Sequence, residues 1–529
     1  MAIEGTVTAR QLRSMLQDGG ELALLDVREA GQFGESHLLF ATPLPYSRLE
    51  LDIGALVPRV SARVVLCDDG DSGIGHLAAK RLQALGYTDV SVLEGGTRAW
   101  AAAGYTLFKG VNVPSKLFGE LVEHEYHTPR VTVRELAEMR ARGEDIVVVD
   151  GRPYAEYRNM SIPGGICCPN AELPYRIGDI VSSPTTKIVV NCAGRTRSIM
   201  GAQTLLNFGI DNPVYALENG TQGWVLADFE LERGASRRYP DRIDASRLPA
   251  LQASARRLMA RHGVSVVSPC DVKTWLEDPN RTTYLCDVRT PEEFGAGSIP
   301  GAVHAPGGQL VQATDQWVGV RNARIVLIDG GEHVRAPAVA AWLRQLGCEA
   351  YVLDGGVRSG LSAPVAKKPA LPQLPMISAP DLKGALDAAT GTVIDLRGST
   401  NFRRAHIAGS RWSIRPRVAG IAKTAPGTLV LIADHPDIAR LASLDLTEAG
   451  ARNVCMLEGG LAAWTNAGYP TEASPTLPPD GECIDCLFFV HDRHAGNREA
   501  MKQYLVWETG LIAQLDSEEK AAFKVGVTR

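Results

Sequence analysis

Cysteine is scarce in this chain: 10 in 529 residues, without regular spacing. That excludes the dense disulfide framework of a small secreted domain. No apolar run approaches the length needed to cross a bilayer. The N-terminal "MAIEGTVTARQL" lacks the basic-then-apolar pattern of a secretory leader. A reducing cytoplasm is the expected location, with no membrane partner. A basic excess is also missing: 55 Lys and Arg stand against 60 Asp and Glu, a net charge of −5. Nothing therefore points to nucleic acid as a partner. What remains is ordinary for globular protein, 45% hydrophobic and 22% charged. The chain is far too long for one core, so several domains are expected.

Internal repetition is the strongest signal present. An apolar run ending in Asp-x-Arg occurs at "LALLDVRE", "IVVVDGRP", "YLCDVRT" and "TVIDLRG", with Asp26, Asp150, Asp287 and Asp395 as the aspartates. A helix-start pattern precedes each ("VTARQL", "VTVREL", "VSPCDV", "ISAPDL"), and an aromatic follows: Phe33, Tyr157, Phe294 or Phe402. Then come a turn ("GESHLL", "NMSIPGG", "AGSIPGA", "RAHIAGS"), a second buried-strand run, and a helix closing at Gly86, Gly209, Gly347 or Gly450. Each copy ends on an acidic-glycine turn: "LEGGTRAW", "LENGTQGW", "LDGGVRSG" or "LEGGLAAW". Short apolar strands alternating with amphipathic helices predict an α/β fold with mainly parallel sheets covered on both faces. Residues 109–127 and 233–262 lack the signatures and carry charged helical patterns, and "AKKPALPQLP" is a proline-rich spacer.

These motifs together resemble the rhodanese family of sulfurtransferases. The resemblance covers roughly residues 5–472 and implies four tandem three-layer α/β/α domains. We expect them at 1–108, 124–233, 262–365 and 374–472, with a C-terminal helical extension at 473–529. It also implies an active loop between a central strand and the next helix. The first residue of that loop is a cysteine that carries sulfur as a persulfide.

Only the second copy fits. Counting back from the closing glycines, Cys192 lies 17 residues before Gly209 and Ala433 lies 17 before Gly450. Asp68 and Asp329 lie 18 before Gly86 and Gly347. Cys67 falls one residue early, matching Asn191, and alternation along a strand turns it the other way. It is read as a core cysteine, and the other three copies as inactive.

The loop "CAGRTR" suits a sulfur nucleophile. A free thiol has a pKa of about 8.5, and only its thiolate reacts. A helix start supplies unpaired N–H groups, Gly194 lets further amides converge, and Arg195 and Arg197 are expected to add positive charge. Cys192 is the predicted nucleophile; Ala193, Gly194, Arg195, Thr196 and Arg197 form the predicted substrate cradle. The expected chemistry runs from thiosulfate or a similar donor through a Cys192 persulfide to cyanide or a thiol, with ping-pong kinetics and no cofactor. Asp150 and Arg152 recur where no chemistry is possible, so they are expected to form a structural ion pair.

Alternatives stay open at this level. A cysteine phosphatase would need Cys-x5-Arg, but that position is Ser198. With three cysteine-free loops, the chain could instead be a scaffold or relay that accepts sulfur from a partner protein's persulfide. Cys483, Cys486, His491 and His494 invite a zinc reading, but Cys486 and His491 are too close for the usual hairpin, so no metal is expected. Met501, Tyr504, Leu505, Ile512 and Leu515 lie at helical spacing and predict a helix packed on one of the units. Cys167 and Cys168 are read as inert core thiols, with a resolving role as the rival.

Overall fold

Every Asp-x-Arg marks the end of a strand. The computed structural model describes residues 5–366, 369–425, 427–493 and 496–526. In it, the strands Ala23–Asp26, Ile146–Asp150, Thr283–Asp287 and Gly391–Asp395 each stop on the aspartate. Each pairs in parallel with the second buried run of its copy: Val64–Cys67, Lys187–Asn191, Arg324–Ile328 or Thr428–Ile432. Three further strands complete a five-stranded sheet per copy, all four sheets having the same strand order. The fourth copy adds a two-stranded antiparallel ribbon, His406–Ile407 with Thr471–Glu472. Parallel neighbours require crossovers, and the crossover helices cover both faces of each sheet.

Local chemistry accounts for the helix starts. Thr8, Thr132, Ser268 and Ser378 cap the first helix of each copy by accepting from the amide three residues on. In the first three copies the side chain at that third position returns the bond, closing a capping box.

The aspartate that ends the strand is held by the arginine two residues later. Arg28, Arg152, Arg289 and Arg397 each fold back on it through Nε and Nη2 at 2.6–2.9 Å. The same Nη2 also donates to a carbonyl eight residues on, at Ser36, Met160, Gly297 or Ala405. Both partners are buried in all four copies. The pair thus ties the strand end to the following turn, whatever the neighbouring loop contains.

One continuous core runs through the first three copies, with Leu66, Val190 and Leu327 as members. The linker helices Val113–Tyr126 and Leu248–His262 contribute Leu117 and Ala255 to it. The fourth copy has separate clusters around Val430 and Leu431. It meets the first copy through Arg415, whose buried guanidinium takes Glu50 at 2.5 and 2.8 Å and Asp445 at 2.5 Å. Residues beyond the fourth copy form the helices Phe488–Asp492, Arg498–Thr509 and Ser517–Ala522. No helix among the described residues is long and apolar enough to cross a membrane.

Removing one member of a buried ion pair strands the other. Arg397→Leu should therefore destabilise the fourth unit by about 3–5 kcal/mol. Urea unfolding of the full chain would read this as an early transition, and an unmoved midpoint would show that the pair is no anchor.

Candidate functional site

Strand register identifies the equivalent loop positions without counting. Asp26 lies opposite Cys67, Asp150 opposite Asn191, Asp287 opposite Ile328 and Asp395 opposite Ile432. The residues that open the four loops are therefore Asp68, Cys192, Asp329 and Ala433. Cys67 belongs to the strand, with its Sγ 3.6 Å from the Asp68 carbonyl. Burial, reinforced by Asp26, pushes its thiol well up. Burial likewise pushes Cys167 up to about 12 and Cys168 well above its ordinary value. All three are neutral core thiols at physiological pH.

The acidic-glycine turn holds the loop from the far side. Thr221 N–H donates to the Cys192 carbonyl at 2.9 Å, as Thr97 does to Asp68 and Val357 to Asp329. The glycine just before, Gly220 in the second unit, has φ +50°, and a Cβ there would lie 2.2 Å from the Cys192 carbonyl oxygen. Only glycine permits that approach.

Two of the four loops show what their amides hold. The Asp68 carboxylate accepts from Gly70 N–H at 2.8 Å and Gly75 N–H at 2.9 Å. The Asp329 carboxylate accepts from Gly331, Val334 and Ala336 at 2.9, 3.2 and 3.2 Å. Both loops curl around an anion that they supply themselves. In the second unit the equivalent side chain is the Cys192 thiol, and the helix Thr196–Phe208 opens four residues later. Among the described residues, no amide from Ala193 to Arg197 finds a protein acceptor, as expected for a loop leading into a first helical turn.

The expectation that Arg195 and Arg197 lend net positive charge to the loop needs correcting. Arg195 forks onto Glu120 at 2.7 and 2.9 Å and reaches Glu123 at 2.5 Å. Arg197 forks onto Glu156 at 2.8 Å on both prongs. Three carboxylates thus face two guanidiniums. The Arg197–Glu156 pair recurs in the third unit as Arg335–Glu293, beside Asp329, so it serves to seat the helix start. Arg197 nevertheless stays within electrostatic reach of Cys192.

The sequence reading missed the outer wall of the site. Lys116, Glu120 and Glu123 come from the linker helix Val113–Tyr126, which closes so tightly that a Cβ on Gly119 would meet Thr196 Cγ2 at 2.7 Å. The spacing of those three charges along one helical face was the available signal. From the other side comes the helix Arg498–Thr509. Its Glu508, fully buried, accepts from Thr196 Oγ1 at 2.6 Å and pairs with Lys116 Nζ at 3.3 Å. Burial works against both charges, yet each sustains the other: Lys116 is raised and Glu508 lowered from its ordinary pKa. Tyr504 and Gln222 complete the wall, and Cys192 is only 2% exposed. The predicted helix thus packs on the second unit, with Met501 and Tyr504 buried, Leu505 half-buried, and Ile512 and Leu515 past its end.

Cys483 is buried against the Pro478 and Pro479 carbonyls. His491 contacts Asp492, and His494 lies outside the described residues. No group of three or more His, Cys, Asp or Glu side chains suited to a metal ion occurs among the described residues.

Comparison with known proteins agrees with the fourfold pattern. The family model for the rhodanese-like domain matches residues 8–103, 132–227, 268–363 and 378–467. A crystal structure of a thiosulfate sulfurtransferase from Pseudomonas aeruginosa is 42% identical, covering 99% of this chain and 100% of that one, with a TM-score of 0.90. A probable adenylyltransferase/sulfurtransferase, MoeZ of Mycobacterium tuberculosis, is 35% identical over 97 residues, 18% of this chain and only 24% of its own length. The uncharacterized protein YqhL of Bacillus subtilis is 36% identical over 102 residues, 79% of its length. Strand order, loop position and a family match in each of the four copies lead to one conclusion: the chain belongs to the rhodanese family and carries four rhodanese-like domains in tandem.

Proposed function

We propose that the second unit is the single sulfur-transferring centre of this sulfurtransferase, with Cys192 as the carrier. The observation that carries this reading is the contrast between loops. In the first and third units a carboxylate fills the amide concavity, whereas in the second a thiol stands at that position. A concavity that stabilises an anion stabilises a thiolate, and afterwards a persulfide anion, in the same place.

With thiosulfate as donor, the Cys192 thiolate attacks the outer sulfur. The sulfur–sulfur bond of the donor breaks and sulfite leaves with the bonding pair, so three negative charges enter and three remain. The loop amides of Ala193, Gly194, Arg195, Thr196 and Arg197 cradle the Cys192 persulfide. Cyanide or a thiol then takes the outer sulfur and restores the thiolate. Both displacements start and end on anions, so no proton shuttle is needed, and ping-pong kinetics follow. The near-complete burial of Cys192 and the paired arginines favour a second reading, in which a protein persulfide docks and hands over its sulfur.

Intact-protein mass after thiosulfate treatment checks the assignment. Wild type and Cys67→Ser should each gain one sulfur atom, and Cys192→Ser none; uptake by Cys192→Ser would move the carrier elsewhere. The nest reading has its own check in an inactive unit. Asp329→Ala leaves three amides, two of them buried, without their acceptor and should cost about 1–3 kcal/mol. Chemical denaturation showing no loss would mean that those amides do not need an anion.

A further inference from the structure

The wall facing Cys192 carries a set of polar atoms that its own fold leaves unused. Glu508 Oε2, Gln222 Oε1 and Gln222 Nε2 are buried and have no hydrogen-bond partner among the described residues. Glu508 is 0% exposed and Gln222 4%. Both are aimed at the middle of the loop: a carbon placed on Gly194 would lie 3.2 Å from Glu508 Oε2 and 3.6 Å from Gln222 Nε2. Buried polar groups left unpaired are costly, and native structures keep few of them without a reason. Two acceptors and one donor beside Gly194 fit a ligand that brings N–H groups and a carbonyl.

The charges around the loop point the same way. Lys116, Arg130, Arg195, Arg197 and Arg493 are its cations; Glu120, Glu123, Glu156, Glu218 and Glu508 are its anions. Five face five, so nothing beyond the loop amides draws in a double negative charge. The free oxygen of Glu508 sets negative charge beside Gly194, and the Lys116 ammonium is already committed to Glu508 Oε1.

We propose that Glu508, lent by the C-terminal extension, is a specificity-determining residue that disfavours small dianionic donors at Cys192 and favours persulfides of aminothiols or peptides. This rests on the sulfur-transfer reading above. In the favoured reaction the Cys192 thiolate attacks the outer sulfur of R–S–SH and the donor's S–S bond breaks. R–S⁻ departs with the bonding pair, and Cys192 keeps the outer sulfur with its proton. The donor's amino or amide N–H reaches Glu508 Oε2, and its carbonyl meets Gln222 Nε2.

The test compares two donors, thiosulfate and cysteinamide persulfide, which has an ammonium, a carbonyl and no carboxylate, in wild type and Glu508→Gln. Loss of the charge should raise kcat/KM for thiosulfate and lower it for cysteinamide persulfide, changing their ratio by about tenfold. A purely structural role would move both donors in one direction, and that result, or an unchanged ratio, overturns the proposal. If the single variant does not fold, Lys116→Met/Glu508→Gln removes the buried pair whole and should shift the ratio the same way. Alkylation of Cys192 by iodoacetate and by iodoacetamide separates this inference from the one beneath it. The anionic reagent should gain about fivefold on the neutral one in Glu508→Gln. If neither donor loads Cys192 yet that gain is seen, sulfur transfer is wrong and the charge selection stands; if the gain is missing, Glu508 is not a charge selector.

Discussion

Amides that converge at the end of a buried strand must meet an acceptor. That requirement organises the first three units of this protein. The Asp-Arg pair fixes where the strand stops, and the glycine turn presses on the carbonyl of the next residue. Between them the chain has room only for a tight curl with its N–H groups pointing inward. What satisfies those groups differs between units. An aspartate at the first loop position meets them internally in the first and third; in the second that position holds Cys192.

This view gives the three units whose loops do not open on cysteine a definite place. The first and third share one hydrophobic core with the second, and their helices form part of the frame against which the Cys192 loop is set. Trp342 of the third unit donates to Thr204 on the helix that follows Cys192, at 2.9 Å. The fourth unit differs, since its core is its own and it joins the first through a buried arginine and carboxylates. Repetition therefore supplies supports for the second unit, while its outer wall comes from segments that occur once.

The sequence was most legible where the copies could be read against one another. The strand ends, the glycine turns and the offset of Cys67 from Cys192 follow from four parallel instances of one pattern, because backbone geometry imposes the same residues each time. The outer wall was not legible for the opposite reason. Lys116, Glu120, Glu123 and Glu508 lie in segments that occur once, so no second copy marks them. Arg195 was misjudged through the same gap, whereas the partner of Arg197 lies within the repeat and recurs in the third unit as Glu293. Seen alone in the loop the two arginines look like free charges, and their partners enter from a linker helix and from the helix that carries Glu156.

Glu508 follows Thr196, the residue it binds, after 312 positions in the chain. At ribosomal elongation rates, that separation corresponds to about 15–60 s of synthesis. Through that interval the second unit already has its strands, loop and linker helix, while its outermost wall has yet to be translated. On the sulfur-transfer reading proposed above, the newborn protein thus holds its carrier thiol without this wall until the C-terminal helix emerges and settles over it.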